Sequence, residues 1–148
     1  MSEGCEVPQH NAGVDEEREI LGNCRTVAVV GLSDKPHRDS YHVASYLQAQ
    51  GYRVIPVNPN VTEVLGEKAC ARLRDVPDRV DVVDVFRRPE AVPEVVDDAI
   101  AVGARAVWMQ EGVVNNAAAA KARSAGLKVV MNRCMLKEHR RLGVPPRG

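Results

Sequence analysis

Aromatic residues make up only 3% of this chain: one tryptophan, one phenylalanine and three tyrosines. A platform for stacking the bases of single-stranded nucleic acid needs more than that. Net charge is missing too, with 20 Lys and Arg against 20 Asp and Glu. General attraction to nucleic acid or to an anionic membrane surface is thereby excluded, and any anion site must be local. No apolar run approaches the about 18 residues of a membrane-spanning helix. The first fourteen residues, MSEGCEVPQHNAGV, lack the charged start and apolar core of a signal peptide. Cys5, Cys24, Cys70 and Cys134 are widely spaced, with no C-x-x-C or His-rich neighbourhood. Neither a disulfide framework nor a metal site is expected, and a reduced, cytoplasmic setting fits this usage.

What is present suits a single domain. The 148 residues are enough to bury a core. The expected organisation is a flexible tail over 1–14 and one domain over 15–148. The tail runs into a short helix near Asp15–Leu21, with Asp15 as N-cap and an acidic first turn. From Thr26 the pattern is regular. Strands are expected at 26–30, 52–57, 80–86, 104–109 and 127–131. Helices are expected at about 40–50, from Pro89 to Gly103, from Asn115 or Asn116 to Ala125, and from Cys134 to Leu142. The strands are apolar throughout, which means a parallel sheet covered on both faces. The fold class is therefore α/β, a three-layer, Rossmann-like, doubly wound sheet of about five strands. The expected strand order is 3-2-1-4-5, with a ligand crevice near the switch between strands 1 and 4.

The stretch Thr26 to Leu47, TVAVVGLSDKPHRDSYHVASYL, organises the rest. A buried strand stops at Gly31, a polar loop follows, and a helix starts near Ser40. A helix N-terminus at a strand end favours an anion. A dinucleotide fingerprint G-x-G-x-x-G needs glycine at 31, 33 and 36; the chain has Gly31, Ser33 and Pro36. Its loop adds Lys35, His37, Arg38 and Ser40 instead. Two hydroxyls and a guanidinium are donors for phosphate oxygens. The second strand ends in Val57-Asn58-Pro59, where a nicotinamide enzyme usually has an acidic residue for a ribose hydroxyl. The third ends in Phe86-Arg87-Arg88, an aromatic beside two guanidiniums that suits a purine and a phosphate. The fourth ends in Trp108-Met109-Gln110-Glu111-Gly112. Trp108 is expected in the core, and Gln110 and Gly112 are expected to face the crevice.

Together these motifs, V-x-V-V-G-x-S-x-x-P-x-R-x-S, V-N-P, L-G, V-F-R, W-x-Q-x-G and a final R-C, resemble the small stand-alone CoA-binding proteins. Those are similar to the CoA-binding domain at the N-terminus of the succinyl-CoA synthetase α subunit. The resemblance spans roughly Thr26 to Leu142. It implies coenzyme A or an acyl-CoA as ligand, with phosphate contacts from Gly31, Ser33, Pro36, Arg38 and Ser40. It implies ribose or loop contacts near Val57, Asn58 and Pro59, and adenine contacts near Phe86 and Arg87. Gln110 and Gly112 would lie nearer the pantetheine arm. Nothing here matches the synthetase's second domain, which carries its phosphorylated histidine.

No catalytic set stands out. Asp81 and Asp84 are three apart in one strand and point to opposite faces. Cys134 is the one candidate nucleophile, with Arg133 beside it able to lower its pKa, and the alternative is a small buried residue with no such role. Three readings follow: a non-catalytic CoA or acyl-CoA binding, carrier or regulatory protein; an NAD(P)-binding redox or regulatory protein; or a synthetase subunit completed by another chain. A protein partner or a homo-oligomer is compatible with each, and neither nucleic acid nor membrane is an expected partner.

Overall fold

A computed structural model describes residues 6–146. In chain order the elements are α1 (Val14–Asn23), β1 (Thr26–Val30), α2 (Asp39–Ala49), β2 (Arg53–Val57), β3 (Glu63–Val64), β4 (Glu67–Lys68), a 3-10 turn (Leu73–Asp75), β5 (Val82–Val85), a second 3-10 turn (Pro89–Ala91) running into α3 (Val92–Ala101), β6 (Ala106–Met109), α4 (Asn116–Ser124), β7 (Lys128–Val130) and α5 (Met135–Leu142). None of the described helices is long and apolar enough to cross a membrane.

Strand residues alternate between two cores, as a two-residue side-chain period requires. Val27, Val29 and Val82 pack toward α1, α2 and α5, among Ile20, Leu47 and Met135. Ala28, Val30, Val83 and Val85 pack toward α3 and α4, among Val92, Val96 and Ala122. Each fully buried valine contributes roughly 1.5–3 kcal/mol, so the runs of valine hold the sheet from both sides. Trp108 is fully buried on the α5 side, and its indole N–H donates to Arg133 O at 2.9 Å. That leaves no polar atom of the ring unpaired. Asn115 caps α4, its side-chain oxygen accepting from Ala118 N.

The doubly wound α/β class is the expected one, but the strand order differs. The five parallel strands run β2-β1-β5-β6-β7. Numbered within the sheet this is 2-1-3-4-5, not 3-2-1-4-5. β5 pairs with β1, with Val29 opposite Asp84, rather than lying outside β2. The outer edge of β2 is taken by a single residue, Cys70: its N–H donates to Pro56 O, and its carbonyl accepts from Asn58 N. The chain then crosses back over the α3 side, burying Leu73, Val76 and Val80. With right-handed crossovers, a sheet that grows first one way and then the other has α2 on one face and α3 and α4 on the opposite one. The switch point therefore lies between β1 and β5, one strand earlier than the sequence suggests.

Other differences are local. The segment from Val61 to Leu73, where the sequence gives no periodic pattern and Gly66 marks a turn, contains the β3–β4 hairpin. Its turn uses positive φ at both Leu65 and Gly66. Helix α1 begins at Val14 with Gly13 as N-cap, so Asp15 lies in the first turn instead of capping it. Glu17 of that turn is buried and ion-paired with Arg133. Residues 6–12, expected as a loose tail, have no helix or strand but are tied down. Asn11 Nδ2 donates to Met131 O and its Oδ1 accepts from Met131 N, each at 2.9 Å. Asn116 holds Glu6 and Val7, and Ala12 is buried. Residues 1–5 lie outside the described residues.

Candidate functional site

The C-terminal ends of β2, β1 and β5 converge on Gly31. Its N–H donates to Val57 O at 2.8 Å, extending the β1–β2 pairing by one residue. Its φ is +88°, and a Cβ there would come within 2.3 Å of Phe86 O. Only glycine allows the first loop to turn away this close to the end of β5.

The loop that follows is internally braced. Leu32 is fully buried and acts as its plug. Ser33 N donates to Ser40 Oγ at 3.0 Å, and Lys35 N donates to Ser33 Oγ at 3.0 Å. Both serine oxygens are thus used as acceptors that shape the arch. Each hydroxyl still has its own hydrogen to donate, although Ser40 is buried. Arg38 is the N-cap residue of α2 and makes no side-chain cap. Pro36 and Arg38 are exposed.

Asn58 fastens this loop to the end of β2. Its Nδ2 donates to Leu32 O at 3.0 Å, and its Oδ1 accepts from Asn60 N at 2.9 Å. The carboxamide stands where a dinucleotide enzyme uses a carboxylate, and here it is committed to holding two loops together. Phe86 is half-buried, while Arg87 and Arg88 are exposed. The Arg87 side chain runs past Gly31, its Cδ 3.3 Å from the position a Cβ would take.

A cleft of about 470 Å³ opens between these strand ends and α3, with Val30, Leu73 and Val95 among its apolar lining. Of the twelve residues singled out from the sequence, Gly31, Val57, Asn58, Pro59, Phe86 and Arg87 line it. Ser33, Pro36, Arg38 and Ser40 belong to the loop leading to α2 and are not part of the lining. Gln110 and Gly112 are not part of it either. Gly112 is exposed, with its N–H donating to Asn132 Oδ1 at 2.8 Å.

Gln110 is a correction. It is buried, and its Nε2 donates to Asp84 Oδ1. Asp84 is fully buried in the middle of the sheet, and its second carboxyl oxygen has no hydrogen-bond partner among the described residues. Burial pushes its pKa up to about 7, with the Gln110 hydrogen bond opposing the rise. A lone aspartate between valines gave no sign of this environment. Cys134 follows the buried reading and not the nucleophile reading. It is buried, and burial raises its thiol pKa. Arg133, expected to activate it, is instead turned to Glu17 and to Ala12 O.

The structure also adds residues that sequence reasoning missed. Asn60, Arg72, Glu94 and Asp98 line the cleft. They come from the aperiodic segment after β2 and from the polar side of α3, where no local pattern marks a site. Among the described residues, Lys35, Arg38, Arg72, Arg87 and Arg88 have no ion pair within the chain, whereas Arg53, Arg74, Arg133 and Arg141 each have one.

The model of the CoA binding domain family matches residues 25–140. The chain belongs to that family. Among its relatives, the uncharacterized protein YneT of Bacillus subtilis is 40% identical over 129 residues, covering 87% of this chain and 96% of that protein. A hypothetical protein from Pyrococcus horikoshii, solved as a structure, superposes with a TM-score of 0.87 at 44% identity, covering 93% of this chain and 97% of that one. The α subunit of an ADP-forming acetate–CoA ligase of Pyrococcus furiosus is 39% identical over 61 residues, which is 40% of this chain and 13% of the subunit. The family is thus related to subunits of acyl-CoA synthetases, while the B. subtilis relative has about this chain's length.

Proposed function

We propose that this chain binds coenzyme A, or an acyl-CoA, at the β2-β1-β5 edge and does so without catalysing a reaction alone. One observation carries this reading. Six residues picked from the sequence for nucleotide contact line a single cleft, and unpaired cations stand on its rim and on the adjoining loop. Coenzyme A is a polyanion with an apolar adenine and a long arm, and the residues present fit it. Arg38, the α2 N-terminus and the Ser33–Ser40 arch offer donors to a diphosphate. Half-buried Phe86, with Arg87 beside it, offers an adenine face and a charge. When bound, coenzyme A would supply a thiol able to carry an acyl group. The residues of this chain bind and orient it. Cys134 is buried with a raised pKa, and Asp84 is sealed in the sheet, so neither is set up as a nucleophile or base toward a ligand on the rim.

Isothermal titration with CoA, acetyl-CoA, NAD and NADP tests the reading. CoA or acetyl-CoA is expected to bind tightest; preferential binding of NAD or NADP would replace it with the dinucleotide reading. A second reading, in which another chain completes a synthetase-like site, draws on the relative named as an α subunit. That reading expects acyl-CoA formation only when a partner chain is added.

A further inference from the structure

The cleft has two unlike walls. On the α3 side stand Glu94 and Asp98. Asp98 is mostly buried and held by Arg74 Nε at 2.5 Å, while Glu94 is exposed. A phosphate is repelled from that wall. On the β2 side the lining residues are Asn58, Pro59, Asn60 and Arg72. Arg72 is the cation of this wall, exposed and, among the described residues, without an ion-pair partner. Its position is well fixed. Two residues before it, Cys70 is bonded on both sides to β2, through Pro56 O and Asn58 N. One residue after it, Leu73 is buried in the core. The backbone at Arg72 is extended, at φ −131° and ψ 150°.

The end of the second strand is where doubly wound nucleotide-binding sheets hold the ribose. An acidic residue there accepts a free ribose hydroxyl, and an arginine there accepts a ribose phosphate. Here Asn58 turns its carboxamide to Leu32 O and Asn60 N, and it brings no carboxylate charge to attract the hydroxyl. The same place has a free guanidinium. We infer that Arg72 is a specificity residue that selects nucleotides carrying a phosphomonoester on the ribose. Under the proposed function, on which this inference rests, that group is the 3′-phosphate of CoA. The 2′-phosphate of NADP shares the chemistry. Arg87 lines the same cleft from the end of β5, its side chain running past Gly31.

The test is titration of the full chain with four ligands: CoA, 3′-dephospho-CoA, NADP and NAD. Wild type is expected to bind CoA roughly ten- to 100-fold tighter than dephospho-CoA, the range of one charge-assisted contact. Arg72→Ala is expected to lose most of that margin, with CoA weakened far more than dephospho-CoA. Arg72→Lys is expected to restore part of it. An unchanged melting temperature shows that the variants fold. If Arg72→Ala keeps the full margin, or if wild type has none, the assignment to Arg72 is wrong while CoA binding stands. If NADP binds in place of CoA, and Arg72→Ala abolishes its advantage over NAD, the CoA reading fails and the ribose-phosphate assignment stands. Binding of none of the four overturns both.

Discussion

Gln110 donates a hydrogen bond to the buried carboxyl of Asp84 across neighbouring strands β6 and β5. The pair closes the only charge-bearing position inside β5. With its pKa raised to about 7, Asp84 in the folded chain keeps a proton that the unfolded chain has released above about pH 4. The folded state is thus favoured by this group in acid, and the contribution is lost as pH rises through about 7. Asp84→Asn removes the titration. The melting temperature of the variant relative to wild type should rise between pH 5 and pH 8, by a few degrees for each kcal/mol. Thermal denaturation across that range checks it, and a difference independent of pH would show that Asp84 does not titrate there.

Gly31→Ala places a Cβ against Phe86 O, at a φ that side chains rarely adopt. Destabilisation of roughly 2–4 kcal/mol is expected from the combined strain and clash. Urea denaturation measures it. A loss below about 0.5 kcal/mol, the range of a surface substitution, would mean that β1 and the end of β5 part without penalty.

Arg38 projects from the loop and supports no core. Arg38→Ala should weaken CoA binding by roughly ten- to 150-fold and leave the melting temperature in place. Arg38→Lys should recover part of the loss, because a lysine cannot form the two-pronged contact. Calorimetry at two salt concentrations reads both variants, and the wild type should lose more affinity with salt. Equal affinity in Arg38→Ala and wild type would make Arg38 a solvated charge and remove the phosphate role of the loop.

Cys134 should be a slow thiol. Its burial raises the pKa, whereas Cys70 is half-exposed. Brief alkylation of the native chain at pH 8 should modify Cys70 well ahead of Cys134, as read by peptide mass mapping. Equal or faster labelling of Cys134 would contradict the buried placement.

Much of the fold was legible because the strands are written in valine and the helices are closed by glycine. β1, β5 and β6 emerge from apolar runs alone. Strand order did not emerge, yet one residue bore on it. Pro56 has no N–H to give, so β2 belongs at an edge, which the 3-2-1-4-5 order forbids. The candidate site was legible where a loop leaves a strand, as at Gly31, Asn58 and Phe86. It was not legible where a wall is borrowed from elsewhere. Arg72 reaches the cleft only because Cys70 is strapped to β2, 13 residues after Val57. Gln110 looked exposed because it follows a strand end, and only its neighbour across the sheet explains its burial.

The two outer strands share one consequence. On β2, Pro56 and the strapped Cys70 occupy the free edge. Beyond β7, the carboxamide of Asn11 imitates a peptide group and satisfies both backbone groups of Met131. An uncovered edge invites a strand from another molecule. This sheet is blunted at both margins by single residues, so it resists ribbon-like stacking of copies.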